Sequence, residues 1–386
     1  MDLKLSTCIE DRTWVKEIWE KIDKKMQLCA PRNKGKLPKG CVEGIYDNAL
    51  DMPNGDIWWT NGFWGGMMWV LYSQTKNEMY KEIAVLSEEL LDTALERTEA
   101  LYHDVGFMWH LTSGASYKLT GNVRSMRRNL AAANALAARF NMKGKFIRAL
   151  NGEQYPDGNG QISKGMTIID TLMNLPILYW ASEITDDDRY KQIAVAHADT
   201  TLMQHLRPDG SVNHIVLHDI ETGEMTVTRG GQGYGLGSSW TRGQAWAIYG
   251  FALSYKYTGD IKYLNAAKSA AHYFISCVCS DYLTRADFRA PKEPKIYDSS
   301  AGAIAACGLF EIAEHVEEFE KDTYINNAIR LIRAMDEHFC DYSEKDSILQ
   351  MTSGSYSGDI NKNLIFGDYF WIEAVARANG MDSFMW

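Results

Sequence analysis

A repeated pattern at the ends of the apolar segments constrains this chain more than any other feature. Each apolar segment ends in a short turn rich in Thr, Gly, Asn and Asp, and a more charged segment follows it. The four clear copies are Tyr72–Asn77, Tyr117–Asn122, Ser182–Asp187 and Tyr255–Asp260, with Glu318–Asp322 as a degenerate copy. Because Asn and Asp side chains cap helix N-termini, the pattern predicts pairs of helices joined by tight turns.

Helical periodicity extends this scheme along the chain. Apolar residues recur at helical spacing over about twelve segments, and we predict a helix over each of them. These segments are residues 12–28, 63–75, 79–97, 105–119, 123–140, 167–183, 188–205, 242–257, 261–278, 299–316, 323–339 and 368–379. Strand signal is confined mainly to residues 211–217 and 224–229, which predicts a β-hairpin with a longer loop.

The fold follows from how these helices can bury their apolar faces. The first helix of each pair is richer in Gly, Ala and aromatic residues, so we expect it to be the inner one. About six such pairs close into a ring. We therefore predict an all-α fold, an (α/α)6 barrel with a small β-hairpin insertion, as a single catalytic domain over residues 1–386. An open helical array is the alternative, and the irregular repeat disfavours it.

Composition excludes several classes of function. The chain has 386 residues and a net charge of −10, which argues against nucleic-acid and anionic-membrane partners. Its seven cysteines have no framework spacing and indicate free thiols in a reducing compartment. We find no apolar signal-peptide core at the N-terminus and no apolar run of membrane-spanning length, and we expect a cytoplasmic protein, either monomer or homodimer.

The predicted barrel brings the starts of the inner helices to one rim. These starts combine carboxylates with aromatic residues, more than helix capping requires. They lie at Trp58–Asn61, Tyr102–Asp104, Thr167–Asp170, Trp240–Arg242, Tyr297–Ser300 and Gly367–Asp368. The segment Gly237–Gly250 places two indoles, a cation and an amide at one such start, an arrangement that suits a sugar acid. The alternative is that its tryptophans are core residues and its arginine pairs with a surface acid.

Six short segments near these starts carry a resemblance to a known family. They are Trp59–Trp64, His103–Phe107, Ile168–Asn174, Ser239–Trp246, Asp298–Ala301 and Phe366–Tyr369, in this order along the chain. They resemble segments of the unsaturated glucuronyl hydrolases, glycoside hydrolase family 88, and the Trp-x-Arg-Gly-Gln-Ala-Trp segment is the most specific. The fold of that family is an (α/α)6 barrel, in agreement with the repeat.

The resemblance implies roles for two aspartates. Asp170 would be the general acid/base and Asp104 would support it, and we predict that the charge of Asp104 raises the pKa of Asp170. The alternative for Asp170 is a buried carboxylate bonded to a neighbouring turn. His103 is a candidate positioning donor, with a catalytic base as its alternative. Further substrate contacts implied by the family are Trp59, His214, Gln232, Trp240 and Arg242, and the alternative for His214 is a surface hairpin histidine.

Three segments depart from the family or leave their role open. Residues 143–164 form a longer connection that carries Tyr155 where an aromatic wall is expected, and residues 230–237 are unusually rich in Gly. Relatives that act on sulfated disaccharides place Ser and Lys in the polar loop at 353–363. We count Tyr356, Ser357 and Lys362 of this loop as candidate substrate contacts, although Ile360 stands where a second Ser is expected. The alternative is a solvated loop.

The implied substrate is an oligosaccharide left by a polysaccharide lyase, with a 4,5-unsaturated uronic acid at its non-reducing end. Hydration of its C4=C5 vinyl ether would release that sugar from chondroitin or hyaluronan disaccharides. The alternatives are an unsaturated rhamnogalacturonyl hydrolase, a sugar epimerase, which needs a pair of basic histidines at the rim, and a non-catalytic sugar-binding barrel. No metal, nucleotide or other cofactor motif is found, so we expect no cofactor.

Overall fold

The structure is a computed structural model that describes residues 9–152, 161–381 and 384–386, so the predicted wall residue Tyr155 lies outside it. The α-helices are α1 Ile9–Arg32, α2 Asn61–Thr75, α3 Glu78–Leu90, α4 Asp92–Leu95, α5 Ala115–Thr120, α6 Val123–Ala137, α7 Gln161–Lys164, α8 Pro176–Thr185, α9 Asp188–Gln204, α10 Thr241–Thr258, α11 Ile261–Cys277, α12 Ser299–His315, α13 Glu318–His338 and α14 Ile365–Ala378. The strands are β1 Cys41–Val42, β2 Ile45–Tyr46, β3 Phe140–Asn141, β4 Phe146–Ile147, β5 Met166–Ile168, β6 Ile215–His218 and β7 Met225–Arg229. No helix in these ranges is long and apolar enough to cross a membrane.

The inner helices form a closed ring. A π-helix, Gly106–Gly114, runs into α5 and contacts both α2 and α8. The ring continues from α8 through α10 and α12 to α14, and α14 packs against α2. Helices α1, α3, α6, α9, α11 and α13 lie outside it. The prediction of an (α/α)6 barrel is confirmed.

The sequence of the inner helices explains why they lie inside. Every residue of α14 is buried, as are residues 241–254 of α10 and 299–313 of α12. A helix that is apolar on all sides is stable only when other elements surround it. Gly308 also permits a close approach, since a Cβ there would lie 3.0 Å from the backbone of Tyr249 on α10.

The predicted turns determine where four of the outer helices begin. Asn77, Asn122, Asp187 and Asp260 each accept a hydrogen bond from the backbone N–H two residues later. These four predicted N-caps are confirmed. The degenerate copy was predicted wrongly, because α13 already begins at Glu318 and Asp322 lies inside it.

The largest correction concerns residues 167–183. They were predicted as one helix, but β5 pairs with β6 in antiparallel fashion and a 3-10 helix, Ile169–Asn174, follows. The α-helix starts only at Pro176, a residue that suits the first helical turn. The β-branched pair Thr167-Ile168 favours the strand. The predicted hairpin corresponds to β6 and β7. Strand β5 pairs with β6 as a third strand, so the sheet β5-β6-β7 connects the hairpin to the rim.

Buried polar side chains fill the end of the barrel where the inner helices terminate. Arg377 forms a buried ion pair with Glu311, and the Trp386 indole donates to Glu373 at 3.1 Å. Because this end is packed with side chains, the rim formed by the helix starts is the open end.

Candidate active site

The structure brings Asp104 and Asp170 together at this rim. Asp104 lies just before the π-helix, and Asp170 lies in the 3-10 helix that follows β5. The side-chain amide of Asn174 donates to Oδ1 of Asp104 at 3.2 Å and to the carbonyl of Asp170 at 3.3 Å. Its own oxygen accepts from the Phe107 backbone N–H at 2.9 Å, which fixes the orientation of the amide. Two residues distant in sequence therefore share one bridging side chain.

Each aspartate also faces one histidine. His103 Nε2 lies 3.4 Å from Oδ2 of Asp104, and its Nδ1 is 2.7 Å from the Thr171 hydroxyl. His214 Nε2 lies 3.6 Å from Oδ2 of Asp170. Burial lowers the pKa of His103 to about 3, so this imidazole is neutral at ordinary pH. His214 is buried at the site, not exposed on a surface hairpin.

The two carboxyl groups have opposite pKa shifts. Burial and the charge of Asp170 raise the pKa of Asp104 well above its usual range. Burial is the largest influence on Asp170 and acts to raise its pKa, but His214, His103 and Arg242 together outweigh it, and the net shift is downward. The raised pKa favours the protonated form of Asp104, and the lowered pKa favours the charged form of Asp170. The prediction of a raised pKa for Asp170 is wrong, because the two facing histidines and Arg242 favour its charged form.

Arg242 is held inside the wall of the site. Its guanidinium lies between the rings of Trp240 and Phe366, at 4.5 and 4.9 Å from their centroids. It forms an ion pair with Asp298 and donates to the Gly354 carbonyl at 2.5 Å. The partner of Arg242 is thus a buried acid, and the charge of Arg242 is balanced within the protein.

Trp240 belongs to the same stack. The His214 ring packs against its indole with centroids 4.3 Å apart, and Arg242 covers it from another side. Only 2% of Trp240 is exposed. This leaves little of the indole for a ligand in the ligand-free structure, although the residue lies beside His214 and Asp170 as the rim predicts.

A cleft of about 310 Å³ opens beside this stack. Its lining residues are Lys39, Trp58, Trp59, Thr60, Gln232, Arg242, Gly354, Ser355, Gly358, Asp359, Leu364 and Phe366. Trp59 is partly buried against Phe366, with ring centroids 5.2 Å apart, whereas Trp58 is 36% exposed and lies 5.9 Å from the ammonium of Lys39. Both rings line the cleft and Trp58 is the more exposed of the two, so the contact at Trp59 stays a prediction and Trp58 is a further candidate.

The Gly-rich segment and the late polar loop meet at this cleft. The Gln232 side chain donates to the Gly354 carbonyl at 2.6 Å, and its own carbonyl accepts from the Tyr356 N–H at 2.8 Å. Ser357 and Lys362 are exposed. The structure thus brings Gln232 to the wall of the cleft, with Tyr356 bonded behind it, and leaves Ser357 and Lys362 on the solvent side of the loop.

Sequence reasoning missed several residues that organise the site. Asn174 and Asp298 lie within two of the six segments that resemble the family, but no sequence pattern assigns them a role. Only their contacts in the folded chain show that they organise the site. Asp287 lies in no motif, yet it accepts from the backbone N–H groups of Tyr234 at 3.0 Å and Ser239 at 3.2 Å. It therefore holds the Gly-rich segment in place. Within the described ranges, no group of three or more His, Cys, Asp or Glu residues could hold a metal ion.

Comparison with known proteins places this site in a family. The family model for Glycosyl Hydrolase Family 88 matches residues 41–370. The chain is 38% identical to the unsaturated glucuronyl hydrolase of Bacillus sp. (strain GL1), over 83% of this chain and 85% of that protein. It is 33% identical to the unsaturated chondroitin disaccharide hydrolase of Streptococcus pneumoniae, over 93% and 90% of the two chains.

A solved structure agrees with this comparison. It is an aspartate-to-asparagine mutant of the unsaturated glucuronyl hydrolase from Streptococcus agalactiae, complexed with dGlcA-GalNAc6S. The two structures superpose with a TM-score of 0.81 at 28% identity, covering 99% of this chain and 96% of the other. The family match covers most of the chain, and the carboxyl pair lies within it. The chain therefore belongs to Glycosyl Hydrolase Family 88 and is a glycosidase.

Proposed function

We propose that this enzyme removes the 4,5-unsaturated uronic acid from the non-reducing end of glycosaminoglycan disaccharides produced by lyases. The observation that supports this most is the pair Asp104 and Asp170, bridged by Asn174, whose carboxyl groups have pKa shifts in opposite directions. The names of the Bacillus and Streptococcus pneumoniae relatives point to the same class of substrate.

The reaction needs a proton donor that later acts as a base. The C4=C5 bond of the substrate is a vinyl ether, and protonation at C4 leaves a cation at C5 that the ring oxygen stabilises. Water then adds at C5 and loses a proton. The resulting hemiketal opens, and the glycosidic bond is lost by rearrangement. Attack is not at the anomeric carbon, so the separation of the carboxyl groups does not predict retention or inversion.

In this proposal Asp170 gives the proton to C4 and then takes one from the attacking water. Asp170 is ionised in the free site, so it must first gain a proton. The substrate brings its own carboxylate into a dry site, and a like charge beside Asp170 raises the pKa of that residue. The proton that the pair holds on Asp104 can then pass to Asp170, and Asp104 becomes a charged acceptor for substrate hydroxyl groups.

The remaining residues would bind and orient the sugar. His103 and His214 position the two carboxyl groups, while Gln232 forms part of the wall of the cleft and Tyr356 supports it. Trp58, together with Trp59 behind it, offers an aromatic surface to the sugar ring. Since Arg242 is paired with Asp298, we assign it to holding Trp240 and the loop at 353–354, with a ligand contact only at its edge.

Ser357 and Lys362 define the finer part of the proposal, which is a preference for sulfated substrates. Both residues are exposed on the loop that borders the cleft, and the Streptococcus agalactiae relative is complexed with a sulfated disaccharide. A lysine and a hydroxyl at a cleft edge suit a sulfate group. We also propose a cytoplasmic location, which the six free cysteines among the described residues support.

The experiment that tests the function compares unsaturated disaccharides from chondroitin, hyaluronan, heparin and rhamnogalacturonan in one absorbance assay. Hydration of the C4=C5 bond removes the conjugated uronate band. We expect loss of this band with chondroitin or hyaluronan disaccharides. Turnover restricted to the rhamnogalacturonan disaccharide would instead support the rhamnogalacturonyl hydrolase, and binding without turnover would support a sugar-binding barrel.

A further inference from the structure

The imidazole of His214 is held in one protonation form by the backbone of the Gly-rich segment. Its Nδ1 accepts a hydrogen bond of 2.9 Å from the backbone N–H of Gln232. A ring nitrogen that accepts a hydrogen bond carries no proton, so the proton of the neutral ring is on Nε2. Nε2 is the atom that faces Oδ2 of Asp170 at 3.6 Å. The ring therefore presents an N–H, not a lone pair, toward Asp170, and at 3.6 Å these two buried atoms face each other without a hydrogen-bond partner in the described part of the chain.

Gly231 makes this contact possible. Its φ of +57° lies in the left-handed region, and a Cβ at this position would be 1.9 Å from Nδ1 of His214. No side chain other than hydrogen fits there unless the ring or the turn moves. Glycine is thus required at position 231 for a steric reason. It directly precedes Gln232, whose backbone N–H donates to the ring.

The His214 ring is also fixed from its other sides. The indole of Trp240 packs against it, with centroids 4.3 Å apart. The backbone carbonyl of His214 accepts from the N–H of Ile169 at 3.1 Å, so the two chain segments that carry His214 and Asp170 are hydrogen-bonded next to the pair. Main-chain position, ring plane and ring protonation are thus each set by a separate contact.

The same turn is bonded to the substrate-facing loop. The Gln232 side chain donates to Gly354, and the Gln232 carbonyl accepts from Tyr356. Gln232, whose N–H fixes the His214 ring, is therefore bonded through both its side chain and its carbonyl to the loop at 353–363. This connects the placement of the loop to the orientation of the histidine beside Asp170.

We propose that the Gly231–Gln232 turn is a positioning device, which fixes His214 as an Nε2–H donor and so sets the orientation of the Asp170 carboxylate. His214 and Gln232 act here through Asp170 and are positioning residues. The inference rests on the proposed function in one respect only, which is that Asp170 takes part in proton transfer.

The direct test is nitrogen NMR of the full chain labelled with ¹⁵N-histidine, with His214→Gln to identify the His214 signals. We expect a neutral His214 whose Nε2 carries the proton and whose Nδ1 has the shift of an unprotonated acceptor. A proton on Nδ1 at neutral pH would overturn the proposal. This measurement needs no substrate, so it stands even if the wild-type enzyme turns over none of the disaccharides and the proposed function fails.

The kinetic test uses two glycines of the same segment. Gly231→Ala places a Cβ against His214, whereas Gly237→Ala at φ +74° meets no atom within 4 Å, so it controls for backbone strain. We expect kcat of Gly231→Ala to fall about 10- to 100-fold, the range for loss of an orienting partner, with KM little changed. Gly237→Ala should stay close to wild type. Equal kcat values for the two variants, or a change in thermal stability alone, would contradict the proposal, and the NMR measurement decides if Gly231→Ala does not fold.

Discussion

The side-chain amide of Asn174 donates a hydrogen bond of 3.2 Å to the carboxyl group of Asp104. The same amide reaches the carbonyl of Asp170 and is oriented by the Phe107 N–H. One side chain therefore sets the geometry of both acidic residues. Its removal also leaves a buried backbone N–H without a partner, which costs about 1–3 kcal/mol.

We predict that Asn174→Ala lowers kcat about 10- to 100-fold and lowers the melting temperature as well. Asn134→Ala is the matched control, because Asn134 on the outer helix α6 bonds Tyr190 and lies away from the rim. It should affect stability without a comparable loss of kcat. Steady-state kinetics and thermal melts of both variants check this, and a wild-type kcat for Asn174→Ala would show that the amide does not position the pair.

The raised pKa of Asp104 makes stability depend on pH. Below the ordinary pKa of an aspartate, about 4, both folded and unfolded chains hold this proton. As pH rises further, the unfolded chain loses the proton while the folded chain keeps it, so folding stability falls until the raised pKa of Asp104 is reached. Asp104→Asn removes this dependence.

The melting temperature of Asp104→Asn relative to wild type should therefore increase between pH 5 and pH 8, by about 2 °C for each kcal/mol involved. Asp188→Asn, an exposed carboxylate at the start of the outer helix α9, should run parallel to wild type. Parallel curves for Asp104→Asn would mean that Asp104 titrates normally in the folded protein.

The adjacent indoles of Trp58 and Trp59 should behave differently. Trp58 is 36% exposed in the cleft, and removing a stacking surface costs about 1 kcal/mol of binding, or roughly a fivefold rise in KM. Trp59 packs against Phe63, Phe107 and Phe366, so its loss should destabilise the fold by about 3 kcal/mol. Kinetics and urea unfolding of Trp58→Ala and Trp59→Ala separate the two effects. A larger rise in KM for Trp59→Ala than for Trp58→Ala would instead assign the main substrate contact to Trp59.

Two lysines near the cleft offer a test of sulfate preference. Lys362 lies on the loop at 353–363, whereas Lys39 lies beside Trp58. We predict that Lys362→Ser raises KM for a 6-sulfated disaccharide about tenfold and leaves KM for the unsulfated one unchanged, as loss of a charge-assisted contact would. Lys39→Ser should change the two alike. A sulfate-selective effect at Lys39 alone would move the sulfate site to the other side of the cleft.

The barrel was predictable because its signals are local. Asn77 and Asn122 cap helices through N–H groups two residues away, and a window of a few residues contains all of that information. The sequence also indicated Asp170 as a candidate site residue, but it did not predict the strand and 3-10 helix that position Asp170. Thr167 and Ile168 form a strand because they pair with residues 215 and 216, which no local pattern shows.

The distribution of charge within the site depends on contacts across the fold. The opposite pKa shifts of Asp104 and Asp170 arise from burial, from the facing histidines and from Arg242, which reach the site from different parts of the chain. Arg242 was correctly located at the rim, but its buried partner Asp298 comes from another inner helix start. Such pairings follow from packing, so the sequence indicated the members of the site and not their protonation.

The central claim is that Asp170 transfers a proton to the unsaturated uronate. The most direct measurement is the rate of absorbance loss from an unsaturated chondroitin disaccharide for wild type, Asp170→Asn and Asp188→Asn, with disaccharide binding measured by calorimetry. Asp170→Asn should lose at least 10³-fold in kcat, roughly the upper part of the range for general acid–base catalysis, and still bind the disaccharide. Asp188→Asn, on the exposed start of the outer helix α9, should remain near wild type. An Asp170→Asn enzyme that retains its kcat would contradict the account.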